Sequence, residues 1–107
     1  MRQVFCTCPE EKAEELASVL LQERLVACVQ MFFRVRSRYW WQGRLEEAQE
    51  TMLLLKTRAV LMEPLVARIR ELHPYEVPEV VSVKIAEGNP DYLTWLGAET
   101  SPRQSEA

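Results

Sequence analysis

Residues Ala27 to Thr57 constrain this chain more than any other stretch: they read as one long β run folded back at Gln42-Gly43. The ascending half, Ala27 to Trp41, is rich in β-branched and aromatic residues and holds neither Gly nor Pro, which is a strand composition. The descending half ends in Thr51-Met52-Leu53-Leu54-Leu55-Lys56-Thr57, the continuous apolar run expected of a strand buried on both faces and central in its sheet. A two-residue turn at Gln42-Gly43 sets Trp40 opposite Leu45, Tyr39 opposite Glu46, Arg38 opposite Glu47 and Arg36 opposite Gln49. At about 3.3 Å per residue the ascending strand spans about 50 Å. A compact chain of this length, with a radius of gyration of about 13 Å, is only about 33 Å across. The hairpin therefore bends at a bulge or overhangs its own domain. An overhang tipped by Tyr39, Trp40 and Trp41 leaves backbone edges and rings in water, which folds avoid, and so points to a partner chain.

At 107 residues and 48% hydrophobic content the chain makes one globular domain, assigned to residues 1–100, with a frayed tail over 101–107. It has no apolar run long enough to span a bilayer, and Met1-Arg2-Gln3-Val4-Phe5 enters a strand pattern directly, so a cytoplasmic protein without stable membrane association is expected. Cys6, Cys8 and Cys28 are odd in number and fall in predicted strands, which argues for reduced thiols. A net charge of −3 and a pI near 5.2 disfavour nucleic acid as the partner.

Gln3 to Thr7 forms a first strand. Thr7-Cys8-Pro9-Glu10 then starts a helix, with Thr7 or Cys8 as cap and Ala13, Leu16, Ala17 and Leu20 at helical spacing to about Arg24. After the hairpin, Met62, Leu65, Val66, Ile69 and Leu72 define a second helix, which Pro74 stops at about Leu72. The loop His73-Pro74-Tyr75-Glu76-Val77-Pro78 feeds a last strand, Glu79 to Ala86. Gly88-Asn89-Pro90 then caps a short helix carrying Tyr92, Leu93, Trp95 and Leu96. The chain lacks an apolar anchor from Glu99 onward. The order βαββαβ plus a terminal helix is α+β, the ferredoxin-like split-βαβ sandwich with two helices on one face of a four-stranded antiparallel sheet.

Several residues could carry chemistry. His73 is the sole histidine, a metal ligand or proton carrier by type and a dipole partner by its place at a helix end. Cys6 and Cys8 share one side of a strand; two soft thiolates and an imidazole could hold copper or zinc, and as small hydrophobes they would simply fill a core. Whether the first strand and the second helix bring these three together does not follow from the pattern. No nucleophile signature and no Gly-rich phosphate loop occurs, so an enzyme is not expected. Arg34, Arg36 and Arg38 read as partners in cross-strand or intersubunit ion pairs, and Tyr39, Trp40 and Trp41 as interface. Tyr75, Glu76 and Glu79 are cleft candidates.

Five segments together resemble the CutA divalent-cation tolerance family from about Val4 to Thr100. They are Leu25 to Val29, Ser37 to Gly43, Lys56-Thr57, Leu72 to Glu79 and Gly88 to Trp95, and the His-Pro-Tyr-Glu-Val-Pro-Glu block is the most specific. The resemblance implies a homotrimer similar to the PII signalling proteins, a role in tolerance of divalent metals, chiefly copper, and copper association at Cys6 and His73. An alternative it implies is a PII-like adaptor that binds a small anionic ligand or a protein in its subunit clefts. Three departures stand out. Leu72 replaces a second histidine. Gln30-Met31-Phe32-Phe33-Arg34 stands where the family has Asn and then Pro-Gly, a change expected to remove a strand break. Arg36 and Arg38 replace smaller residues.

Overall fold

The structure, a computed structural model, describes residues 1–101. Its elements run β1 (Arg2–Cys8), α1 (Glu10–Gln22), β2 (Cys28–Trp41), β3 (Arg44–Thr57), a 3-10 turn (Ala59–Leu61), α2 (Met62–Leu72), β4 (Val81–Lys84) and α3 (Pro90–Glu99). The sheet is antiparallel in the order β2-β3-β1-β4, so the apolar descending strand is internal, as its composition predicts. Alternation puts Val4, Cys6, Cys8, Leu53 and Leu55 on one face. There they form the core with Ala13, Leu16 and Leu20 of α1 and Leu65 and Ile69 of α2. The opposite face carries Phe5, Leu54, Met52, Phe32, Val81 and Val83 in register, of which Phe32, Val81 and Val83 are exposed.

The hairpin both bends and overhangs. Its register from Trp41↔Arg44 to Val35↔Glu50 is the one a two-residue turn dictates, with Gln42 (φ 51) and Gly43 (φ 78) both left-handed. Between Phe32 and Val35 the register shifts by one. Arg34 there has φ 59, so the break expected to vanish with Pro-Gly persists as a β-bulge, adopted by a residue with a Cβ. β1 pairs with Thr51–Thr57 of β3, which leaves Arg44–Glu50 with β2 as its sole partner strand among the described residues, and these measure 48 × 30 × 22 Å. At the tip Trp40 is 74% exposed and Leu45, its cross-strand neighbour, 55%.

Three boundaries differ from the sequence reading. Pro9, not Thr7 or Cys8, occupies the α1 N-cap position, and no side chain among the described residues caps it; its carbonyl accepts from the Lys12 N–H at 3.0 Å. β4 is shorter than Glu79 to Ala86. Its partner β1 reaches only from Phe5 to Arg2 in that register, and Pro78 offers no donor upstream. The chain is anchored past Glu99: Thr100 is buried, donates to the Leu96 carbonyl at 2.9 Å and is held by Arg58. Arg24 reaches Glu99 at 3.1 Å. The anchors are polar, so a search for apolar periodicity passes over them. The tail assigned to 101–107 lies, apart from Ser101, outside the described residues.

Candidate functional site

Pro74 denies His73 a helical conformation, and His73 leaves α2 with φ −76 and ψ 137 while its N–H still caps Ile69 at 2.8 Å. This exit swings the ring onto the end of β1. His73 Nε2 lies 2.7 Å from the Thr7 carbonyl, and the Tyr75 N–H donates to Nδ1 at 3.1 Å. A carbonyl only accepts and an amide N–H only donates, so the pattern assigns the neutral tautomer with its proton on Nε2. The Tyr75 ring packs on His73 with centroids 4.7 Å apart, and its hydroxyl donates to Glu50 at 2.8 Å. The motif loop is thereby latched to β1 on one side and to the root of the hairpin arm on the other. Burial and then the Glu50 contact raise the Tyr75 phenol, which stays protonated and donating.

The three metal candidates occupy unlike settings. Cys6 and Cys8 are fully buried. Burial, and then the neighbouring Cys8 and the carboxylates of Glu79 and Glu50, push Cys6 up to about 12. Burial and then Glu50 push Cys8 up to about 11. Both are neutral thiols, whereas a metal ligates the thiolate. His73 does meet the end of the cysteine strand, a proximity the sequence left undetermined, but it does so through the backbone of Thr7 and with both ring nitrogens engaged. Among the described residues no three His, Cys, Asp or Glu side chains form a metal-holding group.

The larger feature is a cleft of about 700 Å³ between the hairpin arm and the motif loop. Tyr75, Glu76, Val77 and Glu79 supply one wall, Arg36, Ser37, Arg38, Tyr39 and Trp41 the other, and Thr7 and Glu50 also line it. The cleft candidates of the loop and four of the five interface candidates of the arm thus face one space, while Trp40 does not line it. Arg36 is occupied by Glu47 on its own hairpin, with Nε 2.9 Å from Oε1, so it realises the cross-strand ion pair. The side chains of Arg38, Glu76 and Glu79 make no ion pair or hydrogen bond among the described residues, although the Glu79 charge is felt at Cys6. Sequence reasoning missed Thr7 and Glu50 as site residues. Glu50 had a signal, since it is the one carboxylate at the mouth of the buried run and is only 4% exposed. Thr7 had none, because its role comes from the loop that folds back over it.

No helix among the described residues is long and apolar enough to cross a membrane. The sequence profile of the CutA1 divalent ion tolerance protein family matches residues 2–99. The divalent-cation tolerance protein CutA of Pyrococcus horikoshii is 46% identical over 98 residues, covering 91% of this chain and 95% of that one. Protein CutA of Mus musculus is 42% identical over 93 residues; these are 86% of this chain, which spans about half (52%) of that longer protein. A solved structure described as PII-like protein CutA from Nostoc sp. PCC 7120 in apo form superposes with a TM-score of 0.89 at 34% identity, over 94% of this chain and 98% of that one. With a profile match over nearly its full length and the fold of these relatives, the chain belongs to the CutA1 divalent ion tolerance protein family.

Proposed function

We propose that this protein acts in divalent-cation tolerance by binding, without catalysis, a divalent cation in the cleft between hairpin arm and motif loop, copper as Cu(II) foremost, and that it works as a homotrimer. The observation that carries the reading is the convergence of Tyr75, Glu76 and Glu79 on one wall of that cleft, with neither carboxylate in a hydrogen bond or ion pair among the described residues. Oxygen donors suit a divalent cation, and among first-row ions Cu²⁺ binds such donors most tightly. The set Cys6, Cys8 and His73 fits copper less well. A metal there must deprotonate thiols held at about 12 and about 11 and break both hydrogen bonds of the His73 ring.

Support for the trimer is the apolar surface one chain leaves uncovered. Phe32 and Val83 on the open sheet face and Trp40 and Leu45 at the arm tip are all exposed, and the arm beyond β1 has an edge that no strand of the described residues pairs. Cu(II) titration in a non-coordinating buffer tests the reading. Glu76→Gln with Glu79→Gln is expected to weaken binding at least tenfold, and Cys6→Ser or His73→Asn to leave it within threefold. Binding lost only in the cysteine or histidine variant moves copper to the core set. A second reading, a PII-like adaptor for a small anionic ligand, draws on Arg38, which lines the cleft with no partner among the described residues. Thermal stabilisation by metal-free carboxylates at millimolar concentration would favour it, because ligation of the native state raises stability.

A further inference from the structure

We infer that the cleft takes its cation already complexed to a small carboxylate ligand, with the cation against Glu76 and Glu79 and the ligand's carboxylates against Arg38 and Thr7. This rests on the cation-binding reading above and names the form in which the cation arrives.

The cleft has room for more than a hydrated ion. Six waters at about 30 Å³ each fill about 180 Å³, against a cleft of about 700 Å³, a size typical of small-molecule sites. The protein also supplies too few donors. Glu76 and Glu79 are the carboxylates lining the cleft that make no hydrogen bond or ion pair among the described residues, Glu50 being taken by the Tyr75 hydroxyl. A divalent cation takes about four to six donors, so an ion held by two side chains keeps positions open for another ligand.

The facing wall has the opposite chemistry. Arg38 carries a guanidinium with no partner among the described residues, and its planar fork matches a carboxylate with two parallel hydrogen bonds. Thr7 is 6% exposed, lines the same cleft and has a side-chain hydroxyl with no hydrogen bond among the described residues. That hydroxyl keeps solvent contact, the fully buried side-chain oxygen without a partner among the described residues being Thr51 Oγ1, so a ligand carboxylate that accepts from Thr7 takes the place of water. Ser37 adds a second hydroxyl on the arm side, and Trp41 an aromatic surface. An isolated cation leaves Arg38 and Thr7 unused, and an isolated polycarboxylate meets Glu76 and Glu79 with like charge. A cation–carboxylate complex satisfies both walls.

The test is equilibrium dialysis of the purified full chain against radiolabelled citrate, Cu(II), or both at equal concentration, counting citrate and copper separately. Citrate is expected to be retained one per copper, at least tenfold more with copper than without. Arg38→Gln is expected to lose at least tenfold of the citrate retention while still taking copper from a weak buffer complex; Thr7→Val provides a second variant on a different strand. Citrate that strips copper from the protein, citrate retained equally without copper, or indifference of both variants overturns the inference. Copper retained from the mixture of both with no citrate held beside it overturns only this inference. Copper retained in neither arm overturns the cation-binding reading, and this inference with it.

Discussion

Removal of the His73 ring nitrogens is expected to destabilise the metal-free protein by about 3 kcal/mol. The ring donates to the buried Thr7 carbonyl at 2.7 Å and accepts the Tyr75 N–H at 3.1 Å. A buried group left without its partner costs about 1–3 kcal/mol. The Thr7 carbonyl sits in the sheet beneath the loop and stands near the upper part of that range, at about 2 kcal/mol. The Tyr75 N–H is half-buried and can rehydrate, adding about 1 kcal/mol. His73→Phe keeps the ring's bulk and loses both bonds. His73→Gln can still place a donor near Nε2 and is expected to lose only about 1 kcal/mol. Equilibrium unfolding in urea with EDTA present, at one fixed subunit concentration, reads the difference. At about 1–3 kcal/mol per molar urea, the Phe variant's midpoint falls by at least about 1 M. A Phe variant within about 0.5 kcal/mol of the parent, or indistinguishable from the Gln variant, would refute the latch assigned to His73.

The remaining expectations concern the bulge, the thiols and the arm. Arg34→Gly relieves a left-handed strain of about 1 kcal/mol but loosens the unfolded chain by about 0.4–1 kcal/mol, so thermal stability stays level or rises slightly; a clear fall would contradict the bulge geometry at φ 59. Iodoacetamide is expected to modify half-buried Cys28 first and Cys6 and Cys8 only on unfolding, and equal rates for all three would argue against their burial. Unfolded thiols release protons from their ordinary 9.0, whereas Cys6 and Cys8 hold theirs to about 12 and about 11. Their contribution to stability is therefore complete below pH 9 and lost as the pH rises to about 12, a decline that Cys6→Ala makes shallower in unfolding measured against pH. Trp40→Ala removes the most exposed ring of the arm and is expected to lower the mass found by sedimentation equilibrium from about three times 12.5 kDa; a single-chain mass for the parent would reject the trimer.

The fold was legible where it depended on periodicity. The Gln42-Gly43 turn gave the register of the hairpin arm as far as Val35↔Glu50, and helical spacing in α1 and α2 identified the buried residues. The overhang followed from strand length set against domain size. The bulge was misread, because Pro-Gly is the usual carrier of a left-handed break and Arg34 adopts it without that signature. Part of the cleft's lining was legible, and its arrangement was not. Tyr75, Glu76 and Glu79 stand out in the motif block, but their meeting with the arm depends on His73 crossing to Thr7, a contact between residues 66 positions apart that leaves no local pattern. Thr100 escaped for the same reason, held by an arginine 42 positions away.

The central claim is that the divalent cation sits in the cleft and not among the core thiols. Crystals grown with Cu(II) and measured at the copper absorption edge locate it directly by anomalous scattering. The account predicts one peak per chain beside Glu76 and Glu79, with Cys6 and Cys8 unligated and the His73 ring still on the Thr7 carbonyl. A peak bonded to Cys6 or His73, with that hydrogen bond broken, would contradict it.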